Sequence, residues 1–220
     1  LFEGQNREAK KTTDSVNVVG PIILLLIYIV IAFTFRSYSQ PILLIIMIPF
    51  SMIGVVWGHY FHNFPIGILS WLGIIALIGI MVNDGLVLIG KFNSYLKEGM
   101  KYDDALIAAG QSRFRAIFLT SLTTIAGLAP LLLEKSRQAQ FLIPMAISIA
   151  YGIAIATLLT LVMLPLLLSV SNSIKVNIRW LKTNERVEKE EVERAIIESK
   201  IDENDADDSL NPKDVIYEIE

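Results

Sequence analysis

Long apolar runs separated by short polar turns dominate this chain, and they predict helices that cross a bilayer. A spanning helix needs ~20 apolar residues, because ~1.5 Å of rise per residue must cover a hydrocarbon core of ~30 Å. Five runs reach or approach that length: Val18 to Phe35, Ile42 to Tyr60, Ile66 to Lys91, Arg113 to Leu133 and Phe141 to Val170. The fold class this predicts is all-α, a polytopic transmembrane bundle of five spanning helices. Arg36 to Pro41 and His62 to Pro65 are the tight polar turns. Pro21 is tolerated in the opening turn of its helix, whereas Pro49 removes a helix hydrogen bond and predicts a kink in the second span.

The polar segments complete the domain reading. Residues 1–17 form an amphipathic lead-in, read as the end of a missing upstream domain. Residues 92–112 are a cytoplasmic amphipathic segment in which Asp103 or Asp104 would cap a short helix running into Ala105–Ala109. Residues 171–220 are a cytoplasmic acidic tail. Within it Glu185 to Ile201 could form one charged helix, and the remainder has too little apolar content for a core and is expected to be disordered.

Composition changes this picture little. The chain of 220 residues is 53% hydrophobic and carries a net charge of −3. It has no cysteine, which excludes disulfides and thiolate metal sites. Its first fifteen residues are polar, so no cleavable signal peptide is visible, and it starts at Leu1 rather than Met, which suggests a fragment. Charge placement sets an orientation. Arg36, Lys91, Lys97, Lys101, Arg113, Arg115, Lys175, Arg179 and Lys182 fall on one side of the alternating spans, and only Lys135 and Arg137 on the other. The positive-inside rule makes the first side cytoplasmic, with the C-terminus inside.

The candidate chemistry lies in the third span, which carries Asn83 and Asp84 side by side. Asp84 is seven residues before Lys91, ~10 Å inside that end. A carboxylate at such depth is costly and is by default a functional candidate. The functional reading is a group that loads and releases protons, because leaving water penalises the charged form; the structural reading is a hydrogen bond to neighbouring helices. Ala76, Gly79 and Asn83 share one face, where small residues permit close helix packing. In the fourth span Arg113, Ile117, Thr120 and Thr124 form one stripe, with Ser121 and Thr123 beside it. Thr120 is deep enough to carry a proton or hold a water, and Arg113 and Arg115 can reach the headgroups. His59 and His62 lack the further ligands that a metal site needs. No nucleotide loop, nucleophile elbow or HExxH motif occurs, so neither enzyme chemistry nor nucleic-acid binding is expected.

FRSYSQP at Phe35–Pro41, IMVNDGLVLIGKFN at Ile80–Asn93 and the long block from Arg113 to Pro165 resemble resistance–nodulation–division (RND) efflux permeases, and the likeness runs from about Gly4 to Pro165. The resemblance implies the last five helices of a duplicated twelve-helix transporter whose N-terminal half is missing. It further implies drug/proton antiport in a bacterial inner membrane, powered by the proton motive force without a cofactor. Expected partners are membrane lipid, two further copies in a homotrimer, a periplasmic adaptor and an outer-membrane channel. In such permeases an acid pair in the first half works with residues on the helices matching the third and fourth spans here. Arg113 and Thr120 match the relay arginine and threonine. Asn83 and Asp84 stand where the main drug-efflux branch has lysine then asparagine, which removes a cation and adds an acid. Export of lipid or metal ions, help in protein secretion, or a non-transporting membrane scaffold are the alternatives.

Overall fold

The computed structural model describes residues 20–183 and 188–209, and every described regular element is helical. In chain order these are α1 (Gly20–Phe35), α2 (Ser39–His62), α3 (Ile68–Lys97), α4 (Tyr102–Leu133), α5 (Arg137–Leu158), a π-helical turn (Leu159–Met163), α6 (Leu164–Thr183) and α7 (Arg194–Ser209). Among the described residues four helices are long and apolar enough to cross a membrane: α2, α3, α4 and the continuous stretch Arg137–Leu181; α1 is apolar but shorter. The all-α transmembrane bundle is therefore as the hydropathy pattern predicts, and the count roughly fits the five spans expected. The lead-in at residues 1–17 and the first two residues of the expected first span lie outside the described residues.

Helix boundaries differ from the hydropathy boundaries in an informative way. Ser39, Gln40 and Pro41 belong to the first turn of α2 rather than to the preceding turn, because proline is harmless where a helix has no partner for its N–H. α2 continues through Pro49 and ends at Asn63, which adopts φ 53° and donates its N–H to the His59 and Tyr60 carbonyls. The expected separate segment at 92–112 does not exist as such: Phe92–Lys97 extends α3, and Tyr102–Ser112 opens α4. Neither Asp103 nor Asp104 caps that helix. Lys101 holds the cap position and both acids sit in the first turn, where the helix dipole favours negative charge. Polarity marks where a helix leaves lipid, not where it stops.

The last long helix has a local irregularity with a covalent cause. Pro165 has no N–H to offer the carbonyl four residues back, and just before it the Leu164 N–H bonds Leu159 five residues back. The π-helical turn absorbs the missing bond and lets the helix run on to Thr183. At the opposite end from the tail, Glu134 accepts hydrogen bonds from the backbone N–H of Ser136 (3.0 Å) and Lys135 (2.9 Å), which hold its carboxyl below the usual carboxylate range. Ser136 then caps α5 by accepting from Ala139.

α5 is the packing centre, lying against α2, α3 and α4. The contacts are close because glycines line them. A Cβ added at Gly73 would fall 2.7 Å from the Met145 carbonyl oxygen and 2.8 Å from Ser148 Cβ, and one at Gly54 would strike the Tyr151 carbonyl. Leu77, Met81, Leu88, Ile89 and Phe92 of α3 and Ile147 and Ile153 of α5 are buried around this seam.

At the other end the acidic tail folds back onto the bundle. Glu193 is buried and accepts from Asn172 Nδ2 (2.8 Å) and from Lys175 Nζ (3.2 Å). Glu190 accepts the Tyr102 N–H (2.7 Å), Lys189 pairs with Asp103 (2.7 Å) and Glu198 faces Lys97 at 3.9 Å. Tyr102 is buried edge-on to Phe92, and burial, with the Glu193 and Asp103 carboxylates adding to it, pushes its hydroxyl far above the ordinary phenol range. The charged helix expected from Glu185 begins only at Arg194, and residues 184–187 and 210–220 lie outside the described residues.

Two stability measurements follow from this packing. Gly54→Ala should lower unfolding stability by about 1–3 kcal/mol through overpacking against the α5 backbone. Gly79→Ala, where the added methyl meets nothing within 4 Å, should be neutral or gain up to about 1 kcal/mol from helix propensity; thermal unfolding in a neutral detergent compares them. Glu193→Ala leaves Lys175 without its buried partner and should cost about 3 kcal/mol, seen as faster amide exchange across Arg194–Ser199 with the α2–α5 seam still protected.

Candidate functional site in the membrane

α3 has two unlike faces. Gly73, Leu77, Met81, Gly85 and Leu88 are buried, and Gly73 and Leu77 meet α5 directly. Ala76, Gly79 and Asn83 lie on the other face and are exposed in this chain. The small-residue stripe is thus open here, and the close approaches are made by Gly73 and Gly85 instead. Asp84 sits at the border between the faces, half-buried.

The depth of the pair follows from the length of α3. Asp84 is about 24 Å of helix beyond Ile68 and about 20 Å before Lys97. It is at mid-helix, and its distance from Lys91, about 10 Å, is unchanged by the polar extension of α3 to Lys97. Among the described residues neither Asn83 nor Asp84 makes a side-chain hydrogen bond. A polar pair at this depth with open hydrogen-bonding capacity is costly in an apolar surrounding unless a further group or water reaches it.

α4 brings its candidates alongside. Counted along each helix from the α3–α4 turn, Arg113 lies at about 17 Å, Asp84 at about 20 Å and Thr120 at about 27 Å. Asp84 is therefore level with the interval between the two α4 residues. Arg113 is half-buried, and its Nε is buried without a hydrogen-bond partner. Thr120 is exposed, and its hydroxyl donates to its own helix at Ile117 (2.9 Å) and Ala116 (3.1 Å). That single proton is engaged, so Thr120 is free only as an acceptor unless the bond breaks. Thr124 donates to the Thr120 carbonyl in the same way (2.8 Å). None of Asn83, Asp84, Arg113 and Thr120 is hydrogen-bonded to another among the described residues. Counted along their helices, Asp84, Arg113 and Thr120 fall within about 10 Å of one another, and among the described residues they close no network.

Chemically, this arrangement offers one carboxyl group, one permanent cation, one amide and one hydroxyl oxygen that accepts. Among the described residues no group of three or more acids or histidines is placed to hold a metal ion.

Polar side chains that do close contacts sit elsewhere, and the hydropathy pattern gave no sign of their pairing. Thr157 donates to Ser121 (2.6 Å) in the buried α4–α5 contact. Gln40 and Asn93 exchange amide hydrogen bonds (3.0 and 3.2 Å) between α2 and α3. His59 is buried, its Nδ1 3.0 Å from the Val55 carbonyl and its Nε2 2.8 Å from Ser70 Oγ. A carbonyl can only accept, so Nδ1 donates to Val55, and Nε2 faces the Ser70 hydroxyl, whose oxygen accepts the Gly67 N–H (3.2 Å). His62 instead reaches the Tyr151 hydroxyl (3.1 Å).

Comparison with known proteins now bears on this geometry. Residues 1–171 match the AcrB/AcrD/AcrF family. Over 164 residues the chain is 29% identical to the cobalt-zinc-cadmium resistance protein CzcA of Cupriavidus metallidurans, covering 74% of this chain and 15% of that protein. It is 32% identical over 146 residues to the swarming motility protein SwrC of Bacillus subtilis, covering 66% of this chain and 14% of that protein. Multidrug resistance protein MdtC of Erwinia tasmaniensis is 28% identical over 161 residues, with 73% and 16% covered. The crystal structure of a heavy metal efflux pump superposes with a TM-score of 0.67 at 26% identity, over 78% of this chain and 16% of that one. The chain thus spans about 15% of the length of the curated relatives it matches. With the helical bundle and the match over most of its length, the chain belongs to the AcrB/AcrD/AcrF family of RND-type permeases.

Proposed function

We propose that this chain forms part of the membrane portion of a proton-driven exporter in a bacterial inner membrane, with Asp84 as the group that takes up and releases the proton. The observation that carries this reading is an acid at mid-helix on α3, level with Arg113 and Thr120, with its hydrogen-bonding capacity open. Arg113 supplies a fixed positive charge whose pull on Asp84 changes as the helices shift. Asn83, Ala76 and Gly79 present a narrow face of one amide and two small residues to the remaining helices of the transporter. The proton motive force is the energy source and no cofactor takes part.

The rest of the assembly is proposed by family likeness: an N-terminal half that completes the relay, a homotrimer, a periplasmic adaptor and an outer-membrane channel. The lysine- and arginine-rich end of the bundle is taken as cytoplasmic by the positive-inside rule. Drug/proton antiport is the primary reading of the cargo. Metal-ion export is a second reading, favoured because both CzcA and the similar solved pump are named for metals.

The test is substitution in the complete transporter. Asp84→Ala should abolish export while membrane levels stay normal, and Asp84→Asn should do the same because it keeps the shape and loses the proton; undiminished resistance in Asp84→Asn would favour a packing role. Thr120→Ala should reduce transport only a few-fold, since a water can replace the acceptor. Transport rates equal to those of the unsubstituted protein at every pH would remove Thr120 from the relay. Resistance profiles to drugs and to divalent metal ions in the same strains separate the two cargo readings.

A further inference from the structure

A cavity of about 610 Å³ opens at the lysine- and arginine-rich end of the bundle, between the end of α1, the α1–α2 turn, α6 and the start of α7. Its walls change character along its length. Phe33, 80% exposed, and Ile197 supply apolar surface. One turn beyond Phe33, the cations Arg36, Lys175 and Arg194 converge from three separate elements, with the Tyr38 and Ser39 hydroxyls beside them. Acids behind the wall offset part of this charge: Glu193 neutralises Lys175 at 3.2 Å and Glu198 faces Arg194 at 3.7 Å, although neither lines the cavity, so the uncompensated charge rests on Arg36. Among the described residues no carboxylate lies within 4.0 Å of Arg36.

Arg36 is also held in the left-handed region at φ 45°. The corresponding break after α2 places an asparagine there, a residue that tolerates this conformation better than arginine does. The position keeps a guanidinium despite that cost.

We propose that this cavity binds an anionic phospholipid, with the headgroup phosphate between Arg36 and Arg194, Lys175 behind it, and an acyl chain along Phe33. The shared chemistry is phosphate recognition. The apolar-to-cationic gradient at the edge of a membrane helix selects a lipid over a soluble anion, because only a lipid presents an acyl chain next to its phosphate. Arginine suits the site since its planar fork pairs two phosphate oxygens at once. The family match ends at residue 171, so the α1–α2 wall with Arg36 lies inside the matched region, and Lys175 and the α7 wall are added by this chain's tail. The site does not depend on the proton-coupling proposal.

The full-length protein would be purified in a neutral detergent and offered an equimolar mixture of phosphatidylglycerol and phosphatidylcholine, with retained lipid read by native mass spectrometry and thermal unfolding followed in parallel. Phosphatidylglycerol should be retained preferentially and should raise the unfolding temperature. Retention should weaken about fivefold for each cation removed in Arg36→Gln and Arg194→Gln, while Arg36→Lys keeps most of it. Lys135→Gln at the opposite end should change nothing. Equal lipid-free unfolding temperatures among the variants show that the fold is intact. Retention of phosphatidylglycerol by the Arg36→Gln/Arg194→Gln double variant at the unsubstituted level would overturn the proposal, as would equal retention of the two lipids. Stabilisation by sodium phosphate over sodium chloride at equal ionic strength, without preference for phosphatidylglycerol, would overturn the lipid and assign the cavity to a soluble phosphate.

Discussion

The rest of the structure depends on how closely α5 can approach α2 and α3. In lipid there is no water to drive helices together, so association rests on van der Waals contact between well-matched surfaces and on hydrogen bonds between helices. Gly54 and Gly73 remove the side chains that would hold the backbones apart, and the Tyr151 and Met145 carbonyls occupy the freed space. Once α3 turns Gly73 and Leu77 toward α5, its rotation about its own axis is settled. Asn83 must then lie on the far side and Asp84 at the border. The position of the candidate proton site is thus a consequence of glycine packing more than a turn away from it.

The same rotation explains why the polar residues of α3 and α4 share a level without bonding. Ser121, on the α5-facing side of α4, finds Thr157 and is satisfied. Thr120, one residue earlier and about 100° round the helix, faces away and turns its hydroxyl back to its own carbonyls. Adjacent hydroxyls therefore have different roles: one locks two helices, and the other remains on an open surface. An acid with no closed network is poor scaffolding but suits a group whose protonation changes during a cycle, since no fixed donor commits it to one state.

At the lysine- and arginine-rich end, electrostatics replaces close packing. Glu193 is buried, yet Asn172 and Lys175 satisfy it from α6, so the acidic tail is fastened to the bundle by its own charge. This contact fixes where α7 begins and brings Arg194 beside the α1–α2 turn. The loop between α3 and α4 is tied to the same tail through Tyr102 and Asp103, which couples the two helices bearing the candidate site to residues beyond the matched family region.

The sequence by itself determined the bundle, its approximate spans, the family, and the identity of the unusual acid. Each is written locally: run length gives a spanning helix, short polar turns mark its breaks, and an aspartate within an apolar run is conspicuous wherever it points. Tertiary structure decided three further matters. Helices continued past their apolar limits at Lys97 and Tyr102, since a helix ends where its backbone bonds end and not where polarity begins. The stripe of Ala76 and Gly79 proved open while Gly54 and Gly73 carried the close contacts, because which glycine meets a neighbour depends on residues on another helix far along the chain. In sequence Arg36 and Lys175 read as separate anchoring charges, and Arg194 falls in the charged helix of the tail. They form one site only because a buried glutamate folds the tail back against the first turn, a contact between residues too distant in the chain for any local pattern to record.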